Sequence, residues 1–203
     1  MKRTIDGIDG SANVTRRGVI VGALSVAGLF ALGFTGRAFA GEASLVRPPG
    51  GQDESRFLSL CLRCDKCRSV CPLDCISTAP LEDGIVNART PYLNFEKGYC
   101  DFCNLCIDVC PVRALEPFDP SVNKVGIAVV DEDECVAWKQ TGCTICAEVC
   151  PFDAITLSET GKPIVDIEAC NGCGLCENAC PSASYMHYAG ARRRGINIEG
   201  GQA

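Results

Sequence analysis

The stretch Cys170-Asn-Gly-Cys173-Gly-Leu-Cys176-Glu-Asn-Ala-Cys180-Pro181 holds four cysteines at gaps of two, two and three residues, and a proline closes it. Two further runs with the same gaps begin at Cys61 and Cys100, and a third with a longer first gap begins at Cys135. This spacing is typical of bacterial ferredoxins that bind [4Fe–4S] clusters. The four runs contain sixteen of the seventeen cysteines: Cys61, Cys64, Cys67, Cys71, Cys100, Cys103, Cys106, Cys110, Cys135, Cys143, Cys146, Cys150, Cys170, Cys173, Cys176 and Cys180.

The two-residue gaps suit a cubane, which needs four thiolates around one small inorganic core. A loop with such gaps presents three sulfurs to one cluster, and its backbone N–H groups can donate hydrogen bonds to those sulfurs. The last cysteine follows about one helical turn later and points elsewhere, and in two-cluster ferredoxins it binds the partner cluster. The pattern therefore predicts four [4Fe–4S] clusters, with the sixteen motif cysteines as iron ligands.

Disulfides and zinc are the other chemistries that clustered cysteines serve. Exported proteins can hold many disulfides, but seventeen is an odd number and consecutive C-x2-C gaps are poor disulfide geometry. Zinc ribbons use pairs of C-x2-C rather than triplets followed by Cys-Pro. Neither alternative explains the repeated proline, so iron–sulfur binding is the prediction.

The seventeenth cysteine, Cys75, lies four residues after Cys71. The corresponding positions after the other three Cys-Pro pairs hold Ala114, Ala154 and Ser184. We therefore expect Cys75 to be a small packing residue beside a cluster. A spare iron ligand is the alternative.

The third motif departs from the pattern because seven residues separate Cys135 from Cys143. These seven include Trp138, the one tryptophan of the sequence. A loop insertion would leave Cys135 an iron ligand, which is our expectation. The alternatives are that this cluster is altered, or that Trp138 covers it at a docking surface.

Alternation of apolar and polar residues between the motifs predicts short strands at 126–131, 154–157 and 163–167, and short helices are expected at 53–60, 67–71 and 176–180. The fold class is α+β: two ferredoxin-like units, each holding two clusters, with short hairpins, helices of one to two turns and little other core. The motifs pair either one with two and three with four, or two with three and one with four. Because so small a core is weak, folding should depend on cluster binding.

The first forty residues have the features of an export signal. Arg16-Arg17 precede an apolar run rich in glycine and alanine, and Ala38-Phe39-Ala40 matches a cleavage pattern. Twin arginines indicate the Tat pathway, which carries folded proteins and so suits clusters assembled in the reducing cytoplasm. An uncleaved membrane anchor is the alternative. In both cases the rest of the chain would lie in the periplasm or on the outer face of the cytoplasmic membrane.

These features divide the chain into a signal peptide at 1–40, an irregular linker at 41–56, a four-motif domain at 57–185 and a basic C-terminal tail at 186–203. Without residues 1–40 the chain has 14 basic and 23 acidic residues, a net charge of −9, which disfavours nucleic acid as a partner. The tail contains Arg192-Arg193-Arg194. We expect it to be solvated, or to contact anionic lipid headgroups or an acidic partner.

The motifs favour electron transfer over catalysis. The one histidine is His187, and neither a C-x2-C-H haem site nor a nucleophile–base set is present. We expect no catalytic site, and we expect His187 to be a strand or surface residue rather than one that tunes a cluster or accepts a proton. The leading hypothesis is a relay between a membrane quinol-oxidising module and a soluble acceptor. The second is the electron-transfer subunit of an exported molybdopterin oxidoreductase.

The twin arginines, the lead-in Arg47-Pro48-Pro49-Gly50, Phe57-Leu58, Thr90-Pro91-Tyr92 and the four Cys-Pro motifs together form a recognisable set. With this set the chain resembles the MauM/NapG group of ferredoxin-type proteins. The resemblance implies a periplasmic four-cluster protein. Its partners would be a membrane iron–sulfur quinol dehydrogenase of the NapH type and a periplasmic cytochrome or reductase. The second motif is shorter than the form associated with NapG itself, which favours the broader family.

Overall fold

Strands in the described residues form three short antiparallel pairs, and each pair flanks cysteine motifs. The computed structural model describes residues 45–139, 142–182 and 194–200. The pairs are β1 (Ile76–Thr78) with β2 (Pro91–Leu93), β3 (Ile127–Val130) with β6 (Ile196–Glu199), and β4 (Ile155–Leu157) with β5 (Pro163–Val165). Motif three and motif four thus lie between strands on both sides, and a hairpin joins motif one to motif two.

The helices of the described segments are short. They are α1 (Glu54–Leu60), α2 (Lys66–Ser69), α3 (Leu105–Asp108), α4 (Val136–Lys139), α5 (Ile145–Glu148) and α6 (Leu175–Ala179), with a 3₁₀ turn at Leu81–Asp83. Four of them contain, or lie next to, the third cysteine of a motif, and the Cys-Pro that follows ends each of these. None of the helices described is long and apolar enough to cross a membrane.

The sequence patterns located three of the six strands and three of the six helices in the described residues. The predicted helix at 53–60 is α1, which begins after Asp53, whose Oδ1 accepts a hydrogen bond from Arg56 N at 3.0 Å. The strands expected at 126–131, 154–157 and 163–167 are β3, β4 and β5, although β5 ends at Val165. The turn between β4 and β5 contains Gly161, whose φ of +75° suits glycine.

The described part of the lead-in, residues 45–53, is irregular but is not a free linker, and residues 54–56 of the predicted linker belong to α1. Val46 and Arg47 are buried. Val46 O accepts a hydrogen bond from Leu93 N at 2.7 Å, and Gly50 O accepts one from Glu116 N at 2.8 Å. The lead-in precedes motif one in the chain, just as β3 precedes motif three. It therefore takes the place of a strand beside the first two motifs.

Arg47 holds this lead-in against the rest of the fold. Its Nε and Nη2 donate to the two carboxylate oxygens of Glu54 at 2.7 and 2.5 Å. Its Nη1 donates to Thr90 Oγ1 at 2.8 Å and its Nη2 to Asn87 Oδ1 at 2.9 Å. The guanidinium also lies 4.9 Å from the ring centroid of the buried Phe57. One buried cation therefore joins the lead-in, α1 and the β1–β2 connection.

Residues 194–200 fall within the predicted tail, yet they are packed into the fold. β6 pairs with β3, and Ile198 N donates to Glu177 Oε2 at 2.6 Å. Arg194 Nη1 donates to Asn178 O at 2.8 Å and to Cys180 O at 2.7 Å. The expectation of a solvated tail is corrected for this segment, whereas Arg192, Arg193 and His187 lie outside the described residues.

We predict that Arg47→Leu lowers the stability of the protein by about 2 kcal/mol. The loss is below the full cost of breaking a buried ion pair because Glu54 is half exposed and regains water. For a chain of this size the change corresponds to about 4–8 °C in the midpoint of thermal unfolding, followed by circular dichroism without oxygen. The matched control is Lys139→Leu, which removes an exposed ion pair with Asp133 and should cost less than about 1 kcal/mol. Equal shifts in the two variants would contradict the prediction.

Candidate metal centres

The sixteen motif thiols converge in four groups, and each group combines three cysteines of one motif with the last cysteine of another. Group I is Cys61, Cys64, Cys67 and Cys110; group II is Cys100, Cys103, Cys106 and Cys71; group III is Cys135, Cys143, Cys146 and Cys180; group IV is Cys170, Cys173, Cys176 and Cys150. Motif one therefore pairs with motif two and motif three with motif four. All sixteen are free thiols.

Left-handed backbone on both sides of the second cysteine shapes the ligand loops. The flanking residues are Arg63 and Asp65 in motif one, Phe102 and Asn104 in motif two, and Gly172 and Gly174 in motif four, with φ between +53° and +80°. Alternation of right- and left-handed residues turns backbone N–H groups toward a concave centre that binds anions. Such a conformation is strained for arginine and phenylalanine, and strain of this kind persists where a functional site requires it.

A second recurrent turn brings a backbone donor to the last cysteine of a motif. Arg113 and Asp153, both at φ +50°, follow the Cys-Pro pairs of motifs two and three. The next residue then donates its N–H to the preceding cysteine sulfur. Ala114 N lies 3.3 Å from Cys110 Sγ, and Ala154 N lies 3.3 Å from Cys150 Sγ. N–H···S bonds of this kind to ligand sulfurs tune the reduction potential of a bound cluster.

Burial makes the thiols reluctant to ionise in the absence of a cation. It raises the pKa of Cys67 and of Cys106 to about 12, and that of Cys146 and of Cys173 to about 11. The pKa of Cys176 is raised for the same reason. Thiolates at these positions require a compensating positive charge, which iron supplies.

The third motif keeps Cys135 with its group in spite of the longer gap. Cys135 N donates to Asp131 O at 2.8 Å. The Cα of Cys135 would lie 2.5 Å from a Cβ added at Gly195, so the segment before β6 presses on this cysteine. Trp138 lies next to Lys162, whose Nζ is 3.8 Å from the ring centroid. The insertion is therefore compatible with a four-thiol group, and Trp138 faces the β4–β5 hairpin.

Cys75 is buried beside group II, as expected of a small packing residue. It lines the same cavity as Cys71, Cys100, Cys103 and Cys106. Its Sγ lies 3.5 Å from Cys71 Sγ. The hydrogen bond to Cys100 and burial raise the pKa of Cys75, so it remains a neutral thiol.

The donor sets fit [4Fe–4S] clusters. Each group supplies four thiols, three from one short loop and one from the paired motif, in a largely apolar setting with N–H donors. Within the described ranges, no three His, Cys, Asp or Glu side chains are arranged so that they could hold a single metal ion. Spacing and motif identified the thiols, whereas no sequence signal marked Arg63 and Phe102 as left-handed.

We predict that Cys64→Ala/Cys110→Ala removes the iron of one cluster, about four atoms per chain, because both thiols belong to group I. Cys64→Ala/Cys71→Ala should remove about eight, since its two thiols belong to groups I and II. The measurement is iron per chain in protein purified without oxygen. The two variants carry equal numbers of substitutions and share one of them, so a general folding defect would affect both. The reverse ranking would show that motifs one and two do not exchange their last cysteines.

Comparison with family models gives the same chemistry. A 4Fe-4S dicluster domain matches residues 99–154 and again 139–184, and a 4Fe-4S binding domain matches 58–79. The first dicluster match joins motifs two and three, which are consecutive along the chain but contribute thiols to different groups. The grouping in space, rather than the limits of the match, determines which thiols can share a cluster.

Curated relatives cover most of the chain. The methylamine utilization ferredoxin-type protein MauM of Methylophilus methylotrophus is 34% identical over 200 residues, covering 90% of this chain and 87% of the relative. The ferredoxin-type protein NapG of Escherichia coli K12 is 36% identical over 176 residues, covering 78% and 75%. The ferredoxin-type protein NapF of the same strain is 32% identical over 153 residues, covering 70% and 86%. The chain belongs to the MauM/NapG family of ferredoxin-type iron–sulfur proteins.

Proposed function

We propose that this protein carries four [4Fe–4S] clusters in two ferredoxin-like halves and relays single electrons through them. Groups I and II would hold the clusters of the first half, and groups III and IV those of the second. Each bound cluster supplies one-electron chemistry. The contribution of the chain is to hold the thiols, exclude water and fix the clusters at constant separations. Iron–sulfur electron transfer itself is established by the family and its 4Fe-4S domains.

The observation that carries the relay is that the groups adjoin one another in one continuous order. Cys106 of group II interacts electrostatically with Cys67 of group I. Cys100 N of group II donates a hydrogen bond to Cys173 O of group IV at 2.8 Å. Cys176 of group IV interacts with Cys146 of group III. We therefore propose the electron path I–II–IV–III, which differs from the order of the motifs in the sequence.

The two ends of this path differ in charge, which supports two different partners. Around group I, Arg63, Lys66 and Arg68 are exposed basic side chains, and of these Arg68 forms an ion pair with Asp65. The residues that lead into group III are the acidic run 131–134. A basic end favours an acidic partner, and an acidic end favours a basic partner. Complementary potentials guide two proteins toward each other and fix the orientation in which they bind. On the basis of the family we propose a membrane quinol dehydrogenase as the donor and a periplasmic cytochrome or reductase as the acceptor.

Group I also reaches the surface, as an exchange site should. Cys64 is exposed, and the neighbouring Leu62 is 63% exposed. In contrast, Cys170, Cys173 and Cys176 of group IV are buried. Cys103 of group II is exposed as well, so both groups of the first half reach the surface. An exposed terminal group and a buried group IV further along suit a path that accepts an electron at one end and releases it at the other.

We expect the protein purified without oxygen to contain about sixteen iron and about sixteen sulfide per chain, at four of each per cluster. A reductive titration should then take up about four electrons. About twelve iron would leave one group without a cluster, with group III as the first candidate. Zinc in place of iron, or no metal, would overturn the relay.

The order of the path is tested by removing a cluster from its middle or from its end. Neighbouring reduced clusters interact magnetically, so the electron paramagnetic resonance spectrum of the reduced protein reports adjacency. Cys173→Ala, in group IV, should abolish the interaction between the two halves. Cys64→Ala, in the terminal group I, should leave it. Interaction that persists without group IV would contradict the order.

For location we propose export by the Tat pathway to the periplasm, on the basis of Arg16-Arg17 and the folding dependence on clusters. Replacement of both arginines by lysine keeps the charge of the segment and should retain the protein, with its clusters, in the cytoplasm. The measurement is immunoblotting of periplasmic and cytoplasmic fractions. The control is Lys2→Arg, which should be exported as the unmodified chain is. Export of the double lysine variant at an unchanged level would rule out Tat export.

A further inference from the structure

Cys75 is the one cysteine of the chain that the proposed ligand sets do not use. It is 2% exposed, and its Sγ lies 3.5 Å from Cys71 Sγ. It also lines the same cavity as Cys100. Both of these neighbours belong to group II, so Cys75 places a fifth thiol against one four-thiol site.

The fifth thiol has no iron of its own to bind. A [4Fe–4S] cluster takes one protein thiolate at each of its four irons, and group II already supplies four. A cysteine that binds iron has lost its proton, so its sulfur can only accept a hydrogen bond. Of the sulfurs in this contact, Cys75 alone retains an S–H to donate.

The position of Cys75 is a donor position in other repeats as well. At the corresponding place after motifs two and three, Ala114 and Ala154 donate their backbone N–H groups to the last cysteine of the motif. Cys75 contacts Cys71 through its side-chain sulfur. The first repeat thus has a side-chain donor directed at ligand sulfurs where repeats two and three have the methyl group of alanine.

We propose that Cys75 is a positioning residue that donates an S–H···S hydrogen bond to the sulfurs of group II and raises the reduction potential of the cluster held there. Reduction adds negative charge to the cluster and its ligand sulfurs, and a hydrogen bond to an anionic acceptor strengthens as the charge grows. The donor therefore stabilises the reduced state more than the oxidised state. This inference rests on the proposed four-cluster function.

The experiment compares Cys75→Ala with Cys75→Ser in protein purified without oxygen. Alanine restores the residue found in repeats two and three and removes the donor, whereas serine keeps a hydroxyl donor. In Cys75→Ala, we expect unchanged iron content and a lower potential for one cluster. The shift should amount to about a tenfold change in its reduction equilibrium, or about 59 mV for one electron. In Cys75→Ser the shift should be smaller. The readout is a potentiometric titration followed by electron paramagnetic resonance.

The reciprocal variant, Ala114→Cys, adds a thiol at the matching position beside Cys110. It should raise the potential of the group I cluster and leave that of group II unchanged. If this buried site does not accept the larger side chain, the alanine and serine variants still decide the question. A lower potential in Cys75→Ala together with a higher potential in Ala114→Cys would assign the effect to hydrogen bonding and not to a general loosening of the fold.

Three results would overturn the inference. Unchanged potentials in Cys75→Ala would show that the thiol does not act on the cluster. Equal shifts in the alanine and serine variants would assign the effect to packing. Loss of about four irons from Cys75→Ala would make Cys75 a ligand. Failure of the four-cluster proposal is recognised separately, because the unmodified protein would then contain fewer than about sixteen irons.

Discussion

Thiolates buried in a small protein must be neutralised, and this requirement governs the whole architecture. Burial raises the pKa of Cys67, Cys106, Cys146 and Cys173 far enough that the unliganded thiols stay protonated near neutral pH. The interior combines the four thiol groups with a small set of buried apolar side chains, among them Phe57, Leu93 and Phe95. Strands of three or four residues and helices of one or two turns can then suffice, because bound clusters would supply much of the cohesion.

The two pairs of motifs are interlocked and not merely joined. A Cβ at Gly174 would lie 1.9 Å from Phe95 Cδ1, and Asn178 Nδ2 donates to Phe95 O at 2.8 Å. A Cβ at Gly172 would lie 2.5 Å from Gly126 O. Glycine is therefore required where motif four approaches Phe95 and Gly126. Such close contact fixes the distance between groups II and IV. Electron transfer between these two groups is the step that joins the two ends of the proposed path.

Local patterns in the sequence predicted the thiols, three of the six described strands and the helix at 53–60, because each depends on spacing or alternation over a few residues. The pairing of motifs could not be predicted, since it depends on the direction in which the last cysteine leaves its helical turn. The role of the lead-in was also hidden. Arg47 reads as a charged linker residue, yet its partners Glu54, Asn87 and Thr90 lie as far as 43 residues away. Nor does any local rule make Phe102 left-handed; the cluster loop imposes that conformation.

The pairing of β3 with β6 sets the sequence of events during synthesis. Motif three follows β3 directly, but β6 begins sixteen residues beyond Cys180. The segment that presses on Cys135 is made after the last ligand of group III. The half that contains motifs three and four therefore cannot close while its cysteines are emerging from the ribosome, whereas the lead-in and Glu116 of the first half are already present. Iron insertion is thus expected to proceed from the first half to the second. An export system that accepts only folded protein could therefore act only after β6 has been synthesised, long after the proposed signal at 1–40.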